Sequence, residues 1–422
     1  MALFTRNWKD IEKDLFNDED IETLTSVEQI NVESNIKRLY QSLGSRCRVD
    51  NSLPKLITAE HEKYLRQCLT YLPAGYVNLD ASRTWMCYWI VHSLSLLEVE
   101  LPEQQLNNIV DFIRKCQCPT GGFGGGPGQL PHLATTYAAV NVLCIIGTKK
   151  AYDTINTVGL QSFLWSLRSP EGAFCMHRDG EVDIRGTYCA LAVATLTNIA
   201  TNKLFEGTAE WIVGCQTYEG GFSGCPGMEA HGGYTFCGLA SLFLLNRIRL
   251  CDVKSLLRWL VNRQMKYEGG FQGRTNKLVD GCYSFWQAAS FPLLHKFLTE
   301  QDGCEPEDVL FNRAALQEYI LICCQHYDGG LLDKPGKPRD TYHTCYTISG
   351  LSIAQHSLNG KLYILGTQNN KVAETNPIFN IKPHLAMKAV SYFSGQGFSK
   401  TIAVRWRKPK NRRDIDTKIF VF

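Results

Sequence analysis

The chain has 422 residues, 44% of them apolar and 20% charged, which is an ordinary globular composition. Forty-four lysines and arginines face 41 aspartates and glutamates, so the net charge is +3 and any basic site has to be local; a global field for nucleic acid is excluded. No run reaches the ~18 apolar residues of a membrane span, and the charged start MALFTRNWKDIEKDLFND lacks the apolar core of a secretory signal.

The 17 cysteines are scattered and include no C-x-x-C pair. That argues against a zinc ribbon or a thioredoxin-like site, and for a reduced, cytoplasmic protein whose cysteines are mostly small core residues. Residues 1–50 show weak patterning and read as a peripheral N-terminal segment.

From residue 51 to about 395 the chain is organised by an internal repeat. A degenerate first copy, LDASRTWMCYWIVHSL, lacks a glycine pair. Five marked copies follow: PTGGF (Gly121), PEGAF (Gly172), YEGGF (Gly220), YEGGF (Gly269) and YDGGL (Gly329). The marker glycines are 51, 48, 49 and 60 residues apart, the last gap being widened by a polar insert near 300–308. Each marker follows a segment such as DFIRKCQ or LLRWLVNRQ with apolar residues at helical spacing, and glycine there is a stop signal. Fifteen residues after each marker stands a hydroxyl (Thr136, Thr187, Thr235, Ser284, Thr344), then Tyr137, Tyr188, Phe236, Phe285 or Cys345. The apolar runs that follow, such as TYAAVNVLCII, predict buried helices. The pattern predicts an all-α fold: an α/α barrel, or toroid, of about six helix-pair repeats of roughly 50 residues. An open helical-repeat scaffold is the plainer alternative.

The copies differ where the inner helices begin. Positions eleven to fourteen after the marker read HLAT (from His132), DIRG (from Asp183), HGGY (from His231), DGCY (from Asp280) and DTYH (from Asp340). In a closed ring these share one height. Aspartate at a helix start is an excellent N-cap, which explains Asp183 and Asp340 without function. Asp280, Cys282 and His343 together make a carboxylate–thiolate–imidazole set with room for a fourth ligand, the catalytic type of zinc site. Their spacing matches no recognised zinc motif. Arg274 and Lys277, with His231, Arg185 and Tyr283, form a basic group beside helix N-termini, which suits a diphosphate; solvated loop charge is the alternative. Trp85, Trp89, Tyr188, Tyr234, Trp286, Tyr342 and Tyr346 would make the centre of a ring greasy, although buried aromatics are commonly plain core.

These stretches resemble the β subunits of the protein prenyltransferases, the farnesyl-transferring ones most closely. The resemblance rests on LDASRTWMCYWIVHSL, GGFGGGPGQLPHLATTYAAVN, EVDIRGTYCA, LFEGTAEWI, PGMEAHGGYTFCGLA, EGGFQGRTNKLVDGCYSFWQA and GGLLDKPGKPRDTYHTCYTISGLSIAQH, and covers about residues 55 to 360. It implies an α/α barrel paired with an α subunit, joining farnesyl from farnesyl diphosphate to the cysteine of a C-terminal C-a-a-X box. It also implies one catalytic Zn2+, held by Asp280, Cys282 and His343, and Mg2+ with the diphosphate. By resemblance, His231, Arg274, Lys277 and Tyr283 match diphosphate contacts. Arg185, Tyr188, Gly233, Cys237 and Trp286 match positions lining the isoprenoid or peptide site, and Ser82, Trp85, Trp89, His132 and Tyr342 match the peptide-side wall. Trp85 and Tyr346 hold the places where bulk limits the pocket to fifteen carbons.

Other readings remain: a geranylgeranyl-transferring relative, a terpene cyclase on the same barrel, or a binding module without chemistry. The cyclase lacks both a D-x-D-D and a D-D-x-x-D motif. The basic tail at residues 396–422 departs from the family's end and reads as an extension, a membrane-surface anchor or a faulty gene model.

Overall fold

The computed structural model describes residues 11–17, 21–50, 53–72, 74–302, 310–356 and 360–395; the tail at 396–422 lies outside them. Helix α1 (Leu24–Asp50) precedes six pairs, each an outer helix followed by an inner one. They are α2 (Thr58–Thr70) with α3 (Arg83–Leu96), and α4 (Glu103–Cys116) with α5 (Leu133–Ile146). After the short α6 (Lys149–Asp153) come α7 (Thr157–Leu167) with α8 (Ile184–Leu196), and α9 (Thr208–Gly214) with α10 (Gly232–Leu244). The last are α11 (Val253–Val261) with α12 (Tyr283–Trp286) and α13 (Ser290–Asp302), and α14 (Arg313–Cys323) with α15 (Thr341–Gln355); α16 (Pro383–Ser394) follows.

The inner helices are buried nearly all round, as their composition requires. Each packs on the next, and α15 packs back on α3, so the ring is closed. The marker glycines explain the period. Gly121 has φ +96°, and a Cβ there would lie 1.8 Å from the carbonyl oxygen of Gly159 at the start of the next outer helix, α7. Gly329 has φ +82°, and its Cβ would lie 1.9 Å from Glu60 O, in the first outer helix, α2. Only glycine fits both conditions, and the contact of the last copy with the first joins the ends of the ring.

The register hydroxyls have a job too. Thr136, Thr235 and Thr344 each accept a 2.9 Å bond from the backbone N–H of Phe123, Phe222 and Leu331, tying the glycine loop to the inner helix. One inner helix departs from the expected continuous rod: α12 stops at Trp286 and the chain turns through 287–289 before α13. Pro292 is the cause, because it has no N–H for the Ala288 carbonyl. Phe291 N takes that carbonyl instead, at 3.1 Å.

A circuit of ring contacts lines the centre. It runs Trp85–Tyr137 (5.6 Å between centroids), Tyr137–Tyr188 (5.4 Å), Tyr188–Phe236 (5.2 Å) and Phe236–Phe285 (5.1 Å). It continues Phe285–Tyr346 (5.7 Å), Tyr346–Tyr342 (5.0 Å), Tyr342–Trp89 (5.5 Å) and Trp89–Trp85 (5.7 Å). On the outside, α1 buries Ile36 and Tyr40, and the Tyr40 hydroxyl donates to Glu268 O at 2.6 Å.

Candidate active site

Four of the inner helices begin on a polar residue whose side chain caps them. His132 Nδ1 accepts from Ala134 N (3.1 Å), Asp183 Oδ1 from Arg185 N (2.8 Å), His231 Nδ1 from Gly233 N (3.0 Å) and Asp340 Oδ1 from His343 N (2.7 Å). The bland reading of Asp183 and Asp340 is therefore correct as far as it goes. Short hairpin loops lead into α12 and α15: Gln272 bridges Val279, and strand β1 (Leu331–Leu332) pairs antiparallel with β2 (Arg339–Asp340). These loops carry basic residues and deliver the acidic ones to the ring mouth.

Asp280, Cys282 and His343 meet there, with donor atoms all within 4.8 Å of one another. His343 Nε2 is 3.3 Å from Asp280 Oδ1, close to the spacing of two ligands on one tetrahedral zinc at about 2.0–2.1 Å each. The other imidazole nitrogen, Nδ1, bonds to Asp340 Oδ2 at 2.6 Å. Asp340 thus caps α15 with one oxygen and orients the imidazole with the other, the outer-shell arrangement that fixes a ligating histidine. Burial alone would lower the His343 pKa, but the Asp280 and Asp340 carboxylates reverse this and push it up to about 10. Burial opposes the Asp280 charge, yet His343 holds its carboxyl below the usual range. Burial, then the Asp280 charge, pushes the Cys282 thiol well up. A dication beside these groups would relieve that strain, since it needs two anionic ligands and a neutral imidazole; the donor set fits zinc. A short chain of bonds reaches Cys282: Trp286 Nε1 donates to the Tyr342 hydroxyl (3.1 Å), which bonds to the Cys282 sulfur.

Next to this set, the Tyr283 hydroxyl lies 2.9 Å from His231 Nε2. Burial, and then the Arg274 charge, drops the His231 pKa to about 4, so the ring is neutral near pH 7. Arg274 is half-exposed and pairs with Glu229 at 2.7 Å. Lys277 is exposed on the same loop. Arg185 folds back on Asp183, at 2.6 and 3.0 Å, and lies over the Tyr234 ring, 5.9 Å from its centroid. Tyr188, Cys237 and Tyr346 are buried, and Trp85, Trp89, Trp286 and Tyr342 are half-buried around the central wall. Ser82 stands at the start of α3 without a capping bond from its side chain. The His132 ring lies 5.5 Å from that of His177, tilted by 33° to it.

Sequence reasoning missed Asp333 and Lys334. The pair is ion-bonded, and burial followed by the Asp280 charge raises the Asp333 carboxyl. The signal was present in the register. Lys334 and Lys337 stand five and eight residues after Gly329, as Arg274 and Lys277 stand after Gly269. Both loops make the same turn, with Lys277 N donating to Arg274 O (3.3 Å) and Lys337 N to Lys334 O (3.1 Å).

The family description "Prenyltransferase alpha-alpha toroid domain" matches residues 56–381. The protein farnesyltransferase subunit beta of Pisum sativum is 41% identical over 373 residues, covering 74% of this chain and 89% of that protein. This chain belongs to the protein farnesyltransferase β-subunit family. The geranylgeranyl transferase type-1 subunit beta of Arabidopsis thaliana is more distant, at 30% identity over 70% of this chain and 84% of its own length. Among solved structures, Candida albicans protein geranylgeranyltransferase-I complexed with GGPP superposes with a TM-score of 0.68, covering 80% of this chain and 99% of that one at 24% identity, a likeness of fold. No helix among the described residues is long and apolar enough to cross a membrane.

Proposed function

We propose that the chain is the catalytic β subunit of a protein farnesyltransferase, working with an α subunit. In this reading it moves farnesyl from farnesyl diphosphate to the cysteine of a C-terminal C-a-a-X sequence. The observation that carries this is the convergence of Asp280, Cys282 and His343 at the mouth of an aromatic-lined ring, beside two basic loops. Cysteine prenylation needs a thiolate, an allylic diphosphate and a dry wall; the three features supply a place for each.

Asp280, Cys282 and His343 would hold zinc, which when bound stabilises the peptide cysteine as a thiolate near neutral pH. Asp340 keeps the His343 ring in position, and Tyr342 supports Cys282. His231, Arg274, Lys277 and Tyr283 face the diphosphate, joined by Lys334 from the equivalent loop. As the C1–O bond breaks, negative charge grows on the leaving oxygens, and these donors bind that state better than the ground state. Arg274 leaves Glu229 at little cost, because an exposed pair is worth about 0–1 kcal/mol. Magnesium travels with the diphosphate in this reading. Asp333, a carboxylate whose charge feels that of Asp280, would be the residue to hold it. Trp85 and Tyr346 supply the bulk that favours fifteen carbons over twenty.

The fifteen described cysteines form no disulfide with one another, and a reducing, cytoplasmic setting is part of this reading. Cys282→Ala tests the assignment. The heterodimer should lose its zinc and transfer at least ~100-fold more slowly, while farnesyl diphosphate still binds. Full zinc content and turnover in that variant would contradict it.

A further inference from the structure

The aromatic circuit rests on something outside the repeat. After α15 the chain makes a non-periodic passage whose start is fixed at the C-terminal ends of the inner helices: Ala373 N donates to Leu96 O (2.8 Å), and Ser352 Oγ donates to Ala373 O (2.7 Å). It then runs inward as Asn376-Pro377-Ile378-Phe379-Asn380, all buried. Three successive carbonyls of this segment are each met by a phenol from a successive inner helix, in reverse order. Tyr188 of α8 donates to Ile378 O (2.6 Å), Tyr137 of α5 to Phe379 O (3.0 Å) and Tyr88 of α3 to Asn380 O (2.8 Å).

The segment is braced. Asn376 Oδ1 accepts from Ile378 N (2.8 Å) and Phe379 N (3.2 Å), a side-chain turn that presents the carbonyls. Asn380 sits at φ +51°, and its Oδ1 is 3.0 Å from both Thr375 Oγ1 and His92 Nε2. His92 is fully buried and therefore neutral, able to donate to that oxygen. The repeat itself shows that the hydroxyls serve this contact. Tyr137 and Tyr188 share one register place with Phe236 and Phe285. At that place the hydroxyl is present in two of the three copies whose helices meet the segment's carbonyls, the third helix using Tyr88 three residues further on, and absent in the two copies bearing phenylalanine.

Trp85, the residue of the proposed chain-length floor, shares that register place in the first copy. Besides stacking on Trp89, its indole touches Tyr88 (5.9 Å, edge-on) and Tyr137 (5.6 Å). Two of its three ring neighbours are thus pinned to the 376–380 backbone. Resting on the reaction proposed above, we infer that this Asn-Pro-Ile-Phe-Asn segment is a positioning element for isoprenoid length. It holds Trp85 through Tyr88 and Tyr137, so that the floor cannot sink to admit a chain one isoprene unit longer.

The test uses the heterodimer with its α subunit. Tyr88→Phe with Tyr137→Phe removes two oxygens and no ring, and Asn376→Ala disturbs the carbonyls from the other side with every tyrosine intact. Dissociation constants for farnesyl and geranylgeranyl diphosphate are measured by competition, alongside kcat/KM for each. Both variants should narrow the farnesyl preference about tenfold, through tighter geranylgeranyl diphosphate binding, with farnesyl diphosphate affinity and zinc content kept. A preference ratio within twofold of the unaltered protein, or a parallel loss of both affinities, would overturn the inference. The binding ratio is independent of turnover. A shifted ratio in a protein that transfers neither chain would sink the reaction and keep the inference; an unshifted ratio in an active farnesyl transferase would do the reverse.

Discussion

Asp340 has two carboxylate oxygens and uses both, one on the His343 backbone N–H and one on its ring. Asparagine caps a helix about as well but has only one acceptor, so Asp340→Asn has to give up one of the two bonds. Zinc affinity should fall by about 10–100-fold, the usual cost of losing an outer-shell carboxylate, with a melting temperature within a few degrees. Chelator competition measures it, and an unchanged affinity would remove Asp340 from the site. The same residues set a pH dependence. In chelator-stripped protein His343 holds a proton up to about pH 10, and Cys282 keeps its thiol proton above the ordinary range. Zinc has to displace both, so uptake releases up to two protons at neutral pH. Its apparent affinity should rise with pH between about 6 and 8, with a log–log slope approaching two; a slope near one would show that one of them does not bind the metal, and a flat profile that neither does. At this scale the sequence disclosed the three converging residues because they break the repeat's own rule. The second bond of Asp340 was not legible, since it depends on a rotamer and on the β1–β2 pairing. Lys334 was legible through its register with Arg274.

The repeat's helices and turns are where backbone geometry decides. Gly329 combines a positive φ with a Cβ position inside the backbone of α2, whereas Gly336, at φ +87°, faces open space. Gly329→Ala should therefore cost on the order of 3 kcal/mol or more, and Gly336→Ala only about 1 kcal/mol from φ strain. Denaturant midpoints at constant slope compare them; equal losses would refute the account of ring closure through the marker glycines. The period, the outer and inner faces and the register hydroxyls were all readable, because each is a local choice repeated five times. The interruption after Trp286 escaped notice although Pro292 was in plain view, because the apolar run continues across it and periodicity alone does not register a missing N–H.

For the whole molecule, closure followed from inner helices too apolar to be left half wet, and the circuit of rings from Trp85 round to Trp89 is its direct expression. What the repeat did not announce lies outside it. Helix α1, with an apolar stripe too sparse to stand out, packs Tyr40 against Glu268, and the 376–380 segment has no period at all. Both gain their places from contacts some two hundred residues away, which local patterning does not carry. The central claim concerns the assembled enzyme, and a side-by-side transfer assay tests it most directly. The chain is co-purified with an α subunit and given zinc, magnesium, peptides ending in Met or Leu, and farnesyl or geranylgeranyl diphosphate. Farnesyl transfer to the Met-ending peptide, abolished by chelator and restored by zinc, is the predicted result. Geranylgeranyl transfer to the Leu-ending peptide in its place, or farnesyl transfer indifferent to zinc, would contradict it.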